Sequence, residues 1–271
     1  MYPELLRLGP FVISSYGFMM VIAFSTAYVI LHREGKRLGW EPELAPDLVF
    51  WAAIGGILGA KTYYLIENIG RGAGRNLAGL WEMAAGLFTL NLQRMAGGIQ
   101  NFGAGLVFFG GLMGGMLAVT LLLRRRKMPW LPMADAVAPV LILGYGVGRI
   151  GCFLVGDDYG IPSNLPWAMA FPNGLPPTTI PVHPTQLYEF LAGVALFSVL
   201  YRLRLKTPYT GWLFALYLIL AGCERFLIEI IRTNREYTFG LTGAQHIGLI
   251  MVLLGALLMY FLPRKLKEVA P

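Results

Sequence analysis

The chain is poor in charge, cysteine and histidine. Of its 271 residues only 14% are charged, against about 25% in soluble domains. It has 2 cysteines and 3 histidines. Cys152 and Cys223 both fall in apolar runs, which argues against a disulfide framework. No cysteine, histidine and carboxylate cluster stands out at ligand spacing, so no metal and no other cofactor is expected. A cleavable leader is not expected either. MYPELLRLGP lacks a basic stretch ahead of its apolar run, and no small-residue cleavage site lies within reach. No internal repeat is visible, which weakens a transporter built from inverted halves.

What is present is apolar surface. The chain is 56% hydrophobic and carries 34 glycines, with a mean hydropathy of +0.59. That balance predicts an integral membrane protein. Seven segments approach the roughly 20 apolar residues that a bilayer span needs: 11–31, 47–67, 104–123, 132–155, 186–201, 211–230 and 243–262. The expected architecture is all-α, a multi-pass bundle of about seven transmembrane helices forming one domain over 1–271. Residues 68–103 become an outer arm with an interfacial helix, LAGLWEMAAGLFTL, and residues 156–185 a small irregular outer cap.

The net charge of +7 would suit nucleic acid, but its distribution argues otherwise. Thirteen of the 22 basic residues lie in HREGKR (32–37), RRRK (124–127), YRLRLK (201–206) and PRKLKE (263–268), all on one side of a seven-span chain. By the positive-inside rule that side is cytoplasmic. The N-terminus is then outside, the C-terminus inside, and no nucleic-acid partner is needed. The long connections gather outside, where function is expected.

GYGVGRIGCFLVGDDYG, residues 144–160, satisfies G-x-G-x-x-G at Gly146, Gly148 and Gly151. The dinucleotide motif requires a strand–turn–helix setting that a predicted span does not offer. Gly144, Gly148 and Gly151 share one helical face and fit close helix packing. Arg149 is different. A charge inside a span marks a functional site or a partnered network, and about six residues from the outer end, roughly 9 Å, is headgroup depth. An ion pair with a neighbouring carboxylate is the plainer alternative.

In ERFLIEIIR, Arg225, Glu229 and Arg232 stand at i, i+4 and i+7, so a helix would align them. Glu229 could orient both arginines toward an oxyanion, or the three could form a self-satisfied ladder. Two outward arginines on separate helices favour an anion, because the planar guanidinium fork matches phosphate. Lys61 and Tyr64 lie near the outer end of the second span, where Lys61 is either a snorkelling lysine or a phosphate contact. Tyr16 needs a hydroxyl partner within the first span. HPTQLYE, residues 183–189, reads as a helix start, with His183 or its predecessor as cap and Gln186 reaching back.

Together GRIGCFLVGDDYG, HPTQLYE, FFGGLMGG, SSYG, RFLIEIIR, MYPELLRLGPFVISSYG and GAKTYYLIEN resemble, in order and spacing, the bacterial prolipoprotein diacylglyceryl transferases. The resemblance covers essentially the whole chain. It implies a multi-pass enzyme of the bacterial inner membrane, with its active site toward the outer leaflet. The reaction moves the diacylglyceryl group of phosphatidylglycerol to the lipobox cysteine of a prolipoprotein, forming a thioether and releasing glycerol 1-phosphate. The implied partners are phosphatidylglycerol, the prolipoprotein signal peptide with its lipobox cysteine, and the bilayer. By the same resemblance Arg149, Arg225 and Glu229 are catalytic. Tyr16, Lys61, Tyr64, Gly110, Gly111, Asp157 and Gly160 fall on substrate-binding positions.

The sequence also departs from the family pattern. The family's HGGL motif is Phe109-Gly110-Gly111-Leu112, so the histidine proposed as thiol base is missing. Cys152 replaces an asparagine, Asp157 a glutamate, and Lys61 an arginine. Three substitutes for the base remain open. One is His183 or His246, the two histidines on the outer side; a second is Asp157 or Asp158. The third is no base at all, with the arginine field acting on the incoming thiol. A non-catalytic phospholipid-binding or transport protein on the same scaffold is the rival function.

Overall fold

The computed structural model describes residues 1–69, 73–103, 105, 107–235 and 237–269, and these are mostly helical. Strands β1 (Glu4–Leu8) and β2 (Phe11–Ser14) form a two-stranded sheet. Helices follow as α1 (Ser15–Leu38), α2 (Leu44–Glu67), α3 (Ala73–Phe88), α4 (Leu92–Gly103), α5 (Phe108–Arg125) and α6 (Trp130–Val155). After β3 (Met169–Phe171) and β4 (Thr178–Val182) come α7 (Thr185–Leu203), α8 (Trp212–Glu229) and α9 (Gly243–Val269). Among the described residues, four helices are long and apolar enough to cross a membrane: α1, α2, α6 and the Gly243–Pro263 part of α9. Helices α5, α7 and α8 are shorter, at 18, 19 and 18 residues, and each carries charge near an end.

The chain divides into two compact units. The first comprises residues 1–3, 14–38 and 129–271. Within it α6 packs on α1, α7 and α8, and α8 packs on α7 and α9. Ile142, Leu200, Leu213 and Ala221 form a buried cluster joined by Tyr145, Phe197 and Tyr217. Helix ends here are built from polar side chains. Ser14 Oγ accepts from Gly17 N at 3.1 Å, the usual N-cap geometry. The Asp135 carboxylate of α6 accepts from Gly211 N (2.6 Å) and Phe214 N (2.8 Å) at the start of α8, where the helix dipole favours an anion. Gly156, at φ +81°, ends α6 in a left-handed turn that a side chain would strain.

The second unit comprises residues 4–13 and 39–128. Here α2 runs along α5, with Gly55 and Gly59 facing Gly110 and Gly114. A Cβ at Gly110 would overlap the Gly59 carbonyl, so this pair relies on close backbone approach. Helices α3 and α4 pair through Gly79 and Gly98 and a 2.6 Å Arg94–Glu82 ion pair. Trp81, Phe88 and Leu90 are exposed. Such an apolar face suits an interfacial segment.

Four expectations need correction. The first apolar run, expected as a span over 11–31, starts its helix at Ser15, because Phe11–Ser14 pairs as β2; apolar β-branched residues serve strand and helix alike. The cap over 156–185 is not wholly irregular, since β3 and β4 pair antiparallel with Met169 opposite Val182. The packing glycines of α6 also differ. Gly151 meets Tyr16 and Met19 of α1, and Gly146 meets Phe190 and Gly193 of α7. Gly148 touches only a Met20 sulfur, and Gly144 faces open space. Finally, α7 starts after Pro184 with no side-chain cap. Residues 70–72 of the arm, and the side chains of PRKLKE beyond Pro263, lie outside what is described.

Candidate functional site

The first unit brings three arginines onto one carboxylate. Glu189 stands on α7, one turn past its start, with no solvent exposure. Its Oε1 accepts from Tyr145 Oη at 2.5 Å and Arg225 Nη1 at 3.2 Å. Arg149 Nη2 lies 3.2 Å away and Arg232 Nη1 3.7 Å away. An isolated buried charge is very unfavourable, and this one is stable because cations surround it.

Each arginine has a second carboxylate. Arg149 Nη1 donates to Asp158 Oδ2 at 2.7 Å, and its guanidinium sits 5.0 Å from the Tyr145 ring centre. Arg225 Nη2 lies 2.9 Å from Glu229 Oε2. Arg232 Nη2 lies 2.5 Å from Asp158 Oδ1, with Nε 3.9 Å from Glu229. Asn234 donates to Glu229 Oε1 at 2.6 Å. The guanidinium planes are therefore fixed before any ligand binds. Arg149 and Arg225 keep 13% and 21% of their side-chain surface exposed, so part of each five-donor fork faces outward.

The cap is tied down over this cluster by the HPTQ segment. Thr185 Oγ1 donates to the Asp158 carbonyl (2.7 Å) and Gln186 Nε2 to the Asp157 carbonyl (2.5 Å). Gly160 N donates to the His183 carbonyl at 2.9 Å, and Ile161 N to the Ile231 carbonyl at 2.9 Å. Gly160 has no room for a side chain, since a Cβ there would overlap the Ile231 carbonyl. Gln186 thus binds the cap and does not reach back to cap its own helix. Burial pushes the Asp157 carboxyl above the ordinary range. Burial acts the same way on Asp158, yet Arg232 and Arg149 outweigh it and hold that carboxyl below its usual value. Beside them a cavity of about 380 Å³ is lined by Asp158, Tyr159, Gly160 and Arg232, among others.

Of the residues expected at the site, Arg149, Arg225, Glu229, Asp157 and Gly160 fall together in this unit. Tyr16 lies against Gly151 and within electrostatic reach of Arg149, Asp157 and Asp158. Lys61, Tyr64, Gly110 and Gly111 belong to the second unit. Lys61 is buried there, donating to the Phe102 carbonyl and lying 5.3 Å from the Tyr64 ring centre. The histidines are engaged elsewhere. His183 Nδ1 is 3.3 Å from Tyr188 Oη, and His246 Nδ1 is 2.8 Å from the Thr242 carbonyl.

Arg232 departs from the expected i+7 position. Helix α8 ends at Glu229, and Ile231 and Arg232 continue in tighter i→i+3 turns. Sequence reasoning missed Glu189, Asp158 as a double ion-pair partner, and Tyr145. A carboxylate inside an apolar helix was the available signal for Glu189. Cys152, Asp157 and Asp158 do bring donor atoms within 4.8 Å of one another. Both Asp158 oxygens already face guanidiniums, a field that repels a cation.

The family model for prolipoprotein diacylglyceryl transferase matches residues 3–261. A Pseudomonas paraeruginosa phosphatidylglycerol–prolipoprotein diacylglyceryl transferase is 36% identical over 97% of this chain and 94% of its own length. The Bordetella avium protein of the same name is 32% identical, over 96% of this chain and 94% of its own. A Marinomonas relative, also of that name, is 32% identical over 94% and 90%. With that coverage on a mostly helical, membrane-suited scaffold, the chain belongs to the prolipoprotein diacylglyceryl transferase family of enzymes.

Proposed function

We propose that this chain transfers the diacylglyceryl group of phosphatidylglycerol to the thiol of the lipobox cysteine of prolipoproteins, releasing glycerol 1-phosphate. The observation that carries the reading is the convergence of Arg149, Arg225 and Arg232 on buried Glu189. The reaction places a thiolate on a glyceryl carbon while the phosphate ester departs. Negative charge grows on the departing oxygens, and prefixed guanidiniums stabilise it without reorganising. Holding lipid headgroup and tethered cysteine at one depth supplies further rate.

Arg149 and Arg225 hold the phosphate, and Glu229 and Glu189 orient them. Tyr16, Asp157 and Gly160 line the lipid headgroup; Lys61, Tyr64, Gly110 and Gly111 keep the substrate-binding roles that the family resemblance implies. No metal or cofactor takes part in this scheme. All seven long helices, α1, α2 and α5 to α9, span the bacterial inner membrane as a single domain. Basic flanks support an outer N-terminus and a cytoplasmic C-terminus. The arm and the cap are then outer insertions, and the active site faces the outer leaflet.

The test is reconstitution of the chain with phosphatidylglycerol and a lipobox peptide, alongside Arg149→Ala and Arg225→Ala. The proposal requires thioether product from wild type and turnover losses in both variants that exceed their losses of lipid binding. Equal losses of binding and turnover would instead favour a lipid-binding protein.

A further inference from the structure

Within that reading, we infer that Glu224 is the group that accepts the thiol proton. Around the three guanidiniums stand five carboxylates within electrostatic reach: Asp158, Glu189, Glu229, Asp157 and Glu224. The first three are ion-paired with arginine. Glu224 and Asp157 make no ion pair among the described residues, and each keeps one buried oxygen, Oε1 and Oδ1 respectively, with no hydrogen-bond partner; depth separates the two. A buried carboxylate oxygen left unpaired is costly unless something approaches it.

Its position fits the geometry of the displacement. Glu224 lies five residues inside the outer end of α8, about 7.5 Å, which is close to the depth of Arg149 in α6. Arg225 reaches outward to Glu229, and Arg149 reaches outward to Asp158 in the cap. A helical Cα–Cβ bond leans toward the N-terminus, which for α8 is the inner side, so Glu224 departs from its backbone on the side away from the cap. In a phospholipid the glyceryl carbon lies on the membrane side of its phosphate. In-line attack brings the sulfur in opposite the departing oxygen, hence from below the phosphate. Asp157 and Asp158 sit above, beyond the end of α6. Asp158 is also committed to two arginines, and the His183 and His246 rings make their Nδ1 contacts with Tyr188 and the Thr242 carbonyl, outside the arginine cluster.

The groups facing Glu224 are Tyr145 and Arg149 from α6, Glu189 from α7, Arg225 on α8 and Arg232 beyond it. Helix α9 carries no aspartate, glutamate, lysine or arginine between Gly243 and Pro263; its histidine, His246, is bonded through Nδ1 to the Thr242 carbonyl. The balanced step is as follows. The S–H proton moves to the Glu224 carboxylate as sulfur bonds to the glyceryl carbon. The C–O bond breaks with its electron pair going to the phosphate oxygen. Glu224 then returns the proton to the glycerol 1-phosphate dianion, leaving carboxylate and monoanion.

The experiment uses the full chain in phosphatidylglycerol vesicles with a lipobox peptide, measuring the pH dependence of turnover for wild type, Glu224→Gln, Glu224→Asp and Asp157→Asn. A general base is worth about 10²–10⁴-fold, so Glu224→Gln should lose turnover on that scale with lipid affinity within about twofold. Its deficit should shrink as pH rises toward the free-thiol pKa, about 8.5. Glu224→Asp should recover part of the rate. A Glu224→Gln enzyme with wild-type turnover would overturn the inference. So would a loss that is equal at every pH and not rescued by aspartate, or an acidic limb that vanishes in Asp157→Asn instead. Wild type without product would overturn the reaction itself, and the inference with it.

Discussion

Glu189→Gln is the perturbation that bears most heavily on the site. The carboxylate is fully buried, and one oxygen faces Tyr145, Arg149 and Arg225 within 3.2 Å. Glutamine keeps the shape and removes the charge, and its amide nitrogen would turn a donor toward guanidiniums that already donate. Two hydrogen bonds to a charged group, from Tyr145 and Arg225, are each worth about 1.5–3 kcal/mol. Their loss sums to about 3–6 kcal/mol, close to the roughly 3–5 kcal/mol expected for breaking a buried ion pair. For a chain of this size that corresponds to a fall in apparent unfolding temperature of about 6–20 °C. Arg149 and Arg225 also lose their common anchor, so turnover should fall at least about 100-fold. Both quantities can be read on one detergent-purified sample, by thermal scan and by transfer of labelled lipid to a lipobox peptide. A Glu189→Gln protein that melts within about 2 °C of wild type, with turnover within threefold, would refute the anchoring role.

Further outcomes follow from the same geometry. Arg149→Lys should restore little of the activity lost in Arg149→Ala, because one ammonium cannot reproduce a fork that touches Asp158 and Glu189 at once; near-wild-type turnover in the lysine variant would contradict this. The Asp158 carboxyl is held below its usual value, so its ion pairs contribute stability that is present above the unfolded pKa, about 3.9, and is lost as pH falls through the lower folded value. Asp158→Asn should therefore flatten the loss of stability below about pH 4, as followed by acid unfolding. Asp135→Ala removes the acceptor for Gly211 and Phe214 at the start of α8 and should destabilise by about 0.5–2 kcal/mol, with lipid affinity unchanged in a binding assay.

Much of this arrangement was legible in the sequence because the physics is local. Arg149 announced itself as a charge in an apolar run, and α2, α6 and the Gly243–Pro263 part of α9 begin and end within a few residues of the segments read from hydropathy. Arg225 and Glu229 were correctly placed one helical turn apart, and they pair at 2.9 Å. What was not legible depends on long-range meeting. Nothing within HPTQLYE says that its last residue will face three arginines from other segments. Periodicity extended α8 to Arg232, whereas the real helix tightens after Glu229, and that tightening carries Arg232 onto Asp158. Glu224 drew no reading from the sequence, because the sequence cannot show that a buried oxygen of its carboxylate lacks a partner. FVIS was taken for the start of a span, since three apolar residues and a serine carry no period that separates strand from helix.

The central claim is that the guanidinium cluster serves a group transfer from phosphatidylglycerol to a thiol. Mass spectrometry of a lipobox peptide after incubation with the purified chain in phosphatidylglycerol vesicles tests it directly. The account predicts a cysteine carrying one diacylglyceryl group, matched mole for mole by glycerol 1-phosphate and abolished in Arg149→Ala. An unmodified cysteine in vesicles to which the wild-type chain demonstrably binds lipid would contradict it.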